Sequence, residues 1–138
     1  MKIMTTQNSK PVKDFFAAFG KGDFNAIINT FHDHCSITGV RNAARSGSQI
    51  YGSYRGKEGA KEFISNLGNA FNTKAFTVDN IVGEGDIAFA NGSFTHEVKA
   101  TGKLYASDWS LMCVIKENKI LEYHFYEDSA SFVAASIN

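Results

Sequence analysis

Proline appears once in these 138 residues, tryptophan once and cysteine twice, and neither sign of charge prevails, since fourteen Lys and Arg face fourteen Asp and Glu. Each shortage excludes something. No proline-rich linker, low-complexity tract or internal repeat divides the chain, so residues 1–138 read as one domain, long enough to bury roughly two-thirds of its unfolded surface. Cys35 and Cys113 form no Cys-x-x-Cys pair and are too few for a secreted disulfide scaffold, so both are expected as free, buried thiols. Cys113 stands among Leu111, Met112, Val114 and Ile115, where burial raises a thiol's pKa and lowers its reactivity. Balanced charge without a basic cluster removes the footprint that nucleic acid requires. No apolar run approaches spanning length and Met1–Lys10 holds no signal-peptide core, so a cytoplasmic chain with no membrane partner is expected.

What the chain does have is phenylalanine: twelve, against five Tyr. Such rings bring apolar area without a polar handle and suit a core or an apolar pocket. Their spacing changes period once. Val12, Phe15, Phe16 and Phe19, then Phe24, Ile27, Ile28 and Phe31, then Ala60, Phe63, Ile64 and Leu67 repeat i, i+3, i+4, i+7, the stripe of an amphipathic helix. After Asn72 the pattern alternates. Helices first and strands last imply an α+β domain in which a curved antiparallel sheet closes over three N-terminal helices and makes a cup.

Ser9 and Pro11 suit a helix start and Gly20–Gly22 its end; Asp23 caps a second short helix to about His32. Cys35–Val40 reads as a short strand and Arg41–Tyr54 as a loop long enough to suggest function. A third helix covers Gly56–Gly68. Strands follow at Ala75–Val82, Ile87–Ala100, Leu104–Ile115 and Ile120–Tyr126, separated by turn residues, and Asp128-Ser129 opens a short terminal helix through Ala135.

Phe19-Gly20-Lys21-Gly22-Asp23-Phe24, Tyr51-Gly52-Ser53-Tyr54-Arg55-Gly56-Lys57-Glu58-Gly59, Ser107-Asp108-Trp109 and Tyr123–Asp128 come in an order that resembles the SnoaL-like branch of the nuclear transport factor 2-like superfamily. The resemblance spans nearly the whole chain. It implies a cone-shaped α+β barrel, often a homodimer, with a ligand cavity between helices and concave sheet. Members include ketosteroid isomerase, limonene epoxide hydrolase and polyketide cyclases, beside non-catalytic proteins, and fold alone does not choose among them. Carried over by position, the Tyr, base Asp and oxyanion Asp of ketosteroid isomerase fall on Phe15, Gly39 and Leu111, none of which has the needed group. The Asp-Arg-Asp group, Tyr and Asn of limonene epoxide hydrolase fall near His96, Phe94, Phe125, Ile37 and Gly39, leaving His96 as the one titratable survivor.

Strand parity selects the same residue. Phe94, His96 and Val98 share a face, so if the apolar pair points into the cup His96 does too. Apolar burial would keep its imidazole neutral and able to carry a proton, which makes His96 the candidate catalytic residue. Tyr105, Ser107, Trp109, Leu111, Cys113 and Ile115 share the inward face of the next strand, as Leu121, Tyr123 and Phe125 do on the last, where the Tyr123 hydroxyl is expected near His96 and Trp109. The candidate ligand-binding set is Phe15, Tyr54, Phe63, Phe94, Trp109, Leu111, Tyr123 and Phe125. Arg55 is expected to cap its helix by bonding backbone, and Asp108, His124 and Tyr126 to face outward. His32-Asp33-His34-Cys35 gathers metal-ligand types, but the two His straddle a helix end with no helical i, i+4 pairing, and neither metal nor cofactor is expected.

Three readings follow: acid–base catalysis on a small apolar carbonyl compound, non-catalytic binding of a small apolar or weakly anionic molecule, and a protein-interaction role through the convex sheet face. Large residues on both faces of the sheet point to a homodimer.

Overall fold

Three helices precede the long strands, as the change of period requires, with two strands set between the second and third helix and a fourth helix at the end. The computed structural model describes residues 5–138, with side chains from residue 9 onward; the signal-peptide expectation for the segment ahead of Thr5 lies outside that range. The order is α1 (Thr5–Lys21), α2 (Phe24–Asn29), β1 (Phe31–Gly39), β2 (Gly52–Arg55), α3 (Gly56–Ala70), β3 (Phe71–Glu84), β4 (Ile87–Val98), β5 (Leu104–Lys116), β6 (Lys119–Glu127) and α4 (Ser129–Ala135). One sheet runs β2-β1-β6-β5-β4-β3, antiparallel except for the parallel β1–β6 pair, and leaves β2 and β3 as free edges. It curls around α1 and α3 without closing. Among the described residues no helix is long and apolar enough to cross a membrane.

Several boundaries differ from the sequence reading. Helix α1 begins at Thr5, so Pro11 sits inside it, where the missing N–H loses one backbone bond. Thr30 ends α2 by bonding the Ile27 carbonyl through its hydroxyl, and the chain passes at once into β1, because Phe31 finds a partner in Ile120. His32 and His34 are therefore strand residues. Strand β3 starts at Phe71, directly after α3, and bulges between Thr73 and Ala75 and between Val78 and Asn80 break the alternation that would have marked it. A register skip in β6 pairs Ile115 with Ile120 and Val114 with Glu122, so Ile120 is buried at 0% where Leu121 was expected to face inward. Asp23 does cap α2, accepting from the Ala26 N–H.

The core lies between α1, α3 and the concave face of β1, β4, β5 and β6. Gly92 sets its shape. A Cβ there would stand 1.8 Å from the Thr77 carbonyl oxygen and 2.8 Å from Trp109 Cζ2. Adjacent to the β3 bulge, this close approach lets β4 bend and lets the Trp109 ring lie over its cross-strand partner Gly92. Gly92→Ala should destabilise the protein by about 3 kcal/mol, since backbone rather than a flexible side chain blocks the new methyl; urea unfolding measures it, and a change under about 0.5 kcal/mol would show that the bend does not require glycine.

Candidate functional site

A narrow cavity of about 40 Å³ lies inside the cup. Phe15, Phe16 and Phe19 of α1, Phe63 and Leu67 of α3, and Phe71, Phe76, Phe94, Tyr123 and Phe125 of the sheet give it an almost wholly aromatic wall. Only His96, Tyr51 and Glu127 bring side chains with a titratable polar group besides Tyr123. Phe16, Phe19, Leu67, Phe71, Phe76 and His96 also line an open cleft of about 920 Å³ between the C-terminal ends of α1 and α3 and strand β3. These six side chains thus border both the cavity and the cleft.

His96 stacks between Phe94, at 4.1 Å between ring centroids, and Phe71, at 4.6 Å. Its Nδ1 pairs with the Thr73 hydroxyl at 3.0 Å. Burial pushes its pKa down to about 4, because no carboxylate offsets the loss of water. The imidazole is neutral at neutral pH and a weak base there, better suited to hydrogen-bond a carbonyl oxygen than to abstract a proton from carbon.

The opposite polar group was missed by sequence reasoning. On β6, Tyr123, Phe125 and Glu127 continue one parity, so the signal was present one step past where the inward set had been ended. Glu127 Oε2 accepts from the Tyr105 hydroxyl at 2.5 Å and from the Tyr51 hydroxyl at 2.9 Å. Burial raises the carboxyl's pKa and the two hydroxyls oppose that shift without cancelling it. Tyr51 and Tyr105 are themselves pushed upward, by burial first and then by the neighbouring carboxylate.

Tyr51 reaches the carboxylate because the loop over residues 40–51 is pinned from outside. Arg45 lies 3.5 Å over the Tyr54 ring, donates to the Ser53 and Gln49 carbonyls, and pairs with Glu62 at 2.8 Å. Gly52, at φ +136, leaves room for it, since a Cβ would fall 2.2 Å from Arg45 Cγ.

Of the expected ligand-binding residues, Phe15, Phe63, Phe94, Tyr123 and Phe125 line the cavity with His96. Tyr54, Trp109 and Leu111 do not. The Tyr54 hydroxyl is spent on the Ile50 carbonyl at 2.6 Å, beneath Arg45. Trp109 is covered by Phe16, Phe76 and Phe125, and its Nε1 is buried without a hydrogen-bond partner among the described residues. Leu111 is core at 1% exposure. The Tyr123 ring packs on Phe15, Phe31, Phe63 and Phe125. Arg55 stands at the start of α3 without a capping bond from its side chain. His32 pairs with Glu117 at 2.7 Å, and among the described residues no cluster of three His, Cys, Asp or Glu could hold a metal. Cys35 and Cys113 are buried free thiols, both raised in pKa by burial.

The model of the SnoaL-like domain matches residues 12–123, and the chain belongs to that family. No curated protein matches it in sequence. Among solved structures it is similar to an NTF2-like protein of Burkholderia xenovorans LB400, at 21% identity and TM-score 0.83 over 96% of this chain and 98% of that one. It is similar also to a protein of Jannaschia sp. CCS1 assigned as a SnoaL-like polyketide cyclase, at 17% identity and TM-score 0.82 over 100% and 97% of the two chains. A third is TerC co-crystallised with polyporic acid, at 15% identity and TM-score 0.80 over 94% and 98%. At these identities the likeness shows the fold.

Neutral burial of His96 has a consequence for stability. Its folded pKa, about 4, lies below an unfolded value near about 6.5, so the unfolded chain takes up the proton first. Stability should therefore fall as pH drops from about 6.5 to about 4 and level off below, by on the order of 2 kcal/mol from this residue. Urea unfolding at pH 7 and pH 4.5 should show a larger loss for the wild type than for His96→Gln; equal losses would contradict neutral burial.

Proposed function

We propose that this protein binds a small, planar, largely apolar carbonyl compound in the cavity and handles a proton on it, with His96 at the carbonyl oxygen. The observation that carries the reading is the sandwich of a neutral imidazole between Phe71 and Phe94 on an otherwise aromatic wall. Aromatic faces favour a flat ligand, and a carbonyl gains most from a hydrogen-bond donor where water is excluded. The family membership and the fold neighbours assigned as a polyketide cyclase or bound to polyporic acid support this class of ligand. A second reading, binding without turnover, is favoured by what the resemblance implies: Phe15, Gly39 and Leu111 fall at the positions of ketosteroid isomerase's functional groups and carry none of them.

The outer face of the sheet carries its own apolar row, Val82 beside Phe89 beside Met112, with Val82 and Phe89 more than half exposed. We propose that this face forms a homodimer in the cytoplasm. Phe89→Lys should then convert the dimer to a monomer in light scattering; an unchanged mass would place the contact elsewhere or nowhere.

The main reading is tested by thermal shift against steroids, polyketide-like aromatics, terpenoid epoxides and fatty acids, on the wild type and His96→Gln. A ligand at a hundredfold excess over its Kd adds about 2.7 kcal/mol to the native state. An aromatic carbonyl compound should raise Tm, and His96→Gln should abolish its turnover while largely sparing its binding. Undiminished turnover in His96→Gln contradicts the role given to His96, and silence across the panel contradicts the cavity reading.

A further inference from the structure

Glu127 is the carboxylate of the cavity, and its surroundings are more ordered than packing alone requires. Tyr51 comes from the loop and Tyr105 from β5, yet both hydroxyls converge on the same oxygen, Oε2. Oε1 has no hydrogen-bond partner among the described residues, although Glu127 lines the cavity. The backbone beneath is fixed as well. The Asp128 N–H donates to Ser107 Oγ at 2.9 Å, the Asp128 carbonyl accepts a second contact from Tyr105 at 3.1 Å, and the Asp128 side chain caps α4 at Ser131. Phe132 of α4 lies against the Tyr51 and Tyr105 rings, at 5.2 and 5.5 Å between centroids, and closes the clamp from outside.

Among the described residues the one fully buried side-chain N or O without a hydrogen-bond partner is Trp109 Nε1, so the unpaired Oε1 of Glu127 keeps contact with open space. One oxygen thus holds both hydroxyls while the other is unpaired and reachable, the arrangement a proton acceptor needs. We infer that Glu127 is the general base of this cavity, acting through Oε1, with Tyr51 and Tyr105 as positioning residues. The inference rests on the cavity reading above and deepens it. In the step it performs, the C–H bond next to the substrate's carbonyl breaks and its proton passes to Oε1. The bonding pair becomes a C=C bond, and the carbonyl π pair moves to oxygen, which His96 hydrogen-bonds. Returning the proton to the same or a conjugated carbon restores Glu127 without a co-reactant. The substrate class is thus a flat compound with an acidified C–H, uncharged at that end because a carboxylate waits there.

The titratable groups facing Glu127 are Tyr51, Tyr105 and Tyr123, with His96 farther along the same cavity. The two clamping hydroxyls stabilise the anion, so removing either should move the base's titration upward.

The test uses 5-nitrobenzisoxazole, whose base-catalysed opening breaks C3–H and N–O, forms a nitrile and releases a coloured phenolate. The wild type should open it saturably and faster than buffer of matched carboxylate concentration. Glu127→Gln, which keeps an oxygen for both tyrosines to donate to, should lower the rate at least a hundredfold with Tm within a few degrees of wild type. Glu127→Asp, which withdraws the carboxylate by one carbon, should fall between the two. Glu122→Gln, on the outer face, should match the wild type. Tyr51→Phe should shift the midpoint of the pH–rate profile upward, a change that loss of packing alone would not produce. A Glu127→Gln rate within threefold of wild type overturns the inference, and so does a wild type that is inert, because a base that a bicyclic probe cannot reach serves no substrate here. If His96→Gln loses the rate while Glu127→Gln keeps it, the assignment fails but the cavity reading stands; if a thermal-shift panel is also silent, both fail.

Discussion

Between β3 and β4 the backbone comes so close at Gly92 that no side chain could stand there, and much of the molecule's geometry follows from that approach. The bend turns a long meander into a cup, and the space above Gly92 is filled by the Trp109 ring rather than by a residue of β4. Trp109 then offers its flat face to Phe16, Phe76 and Phe125, so one helix, the edge strand and the last strand meet on a single indole. The arrangement costs a buried, unpaired Nε1–H, about 1–3 kcal/mol. Burying an indole returns more than that in apolar area.

Once the cup exists, its two polar groups are held in opposite ways. His96 is surrounded by apolar rings with one hydroxyl for company, so burial alone acts on it and the neutral form wins. Glu127 is also buried, but two phenols reach it, and its anion keeps part of the stabilisation that water would have supplied. Two environments in one cavity thus move a histidine down and a carboxyl up. Groups displaced in this manner are candidates for a site where they share a cavity, as these two do.

How much of this was legible in the sequence depends on range. Helical stripes such as Phe15, Phe16, Phe19 and strand parity such as Phe94, His96, Val98 are local, and they placed α1, α3, β4 and β5 and turned His96 inward. Features that arise from pairing across the chain were not legible. Strand β1 begins at Phe31 only because β6 accepts it in parallel, and β3 begins at Phe71 only because β4 supports a mostly exposed, twice-bulged partner. Tyr54 looked like a ligand contact because nothing in the sequence says that Arg45 will cover it. Glu127 is the intermediate case: parity was enough to turn it inward, but its pairing with Tyr51, across most of the chain, was not. It lies in the Tyr123–Asp128 piece that carried the resemblance, though just past the residues the family model matches, and no functional group was carried onto it.

The position of the carboxylate restricts what the cavity can hold. A fully anionic ligand would meet Glu127 in a medium of low dielectric, where like charges repel far more strongly than in water. Among the described residues no Lys or Arg side chain lines the cavity to offset that repulsion. A neutral ligand meets no such barrier, and one that can surrender a proton to Oε1 spreads the resulting charge over its own conjugated frame instead of leaving two anions face to face. The aromatic wall acts in the same direction, since a flat delocalised anion loses less on leaving water than a compact one. On the reading proposed above, shape, dryness and the clamped carboxylate would select together for a planar compound that is uncharged on entry and acidic at one carbon.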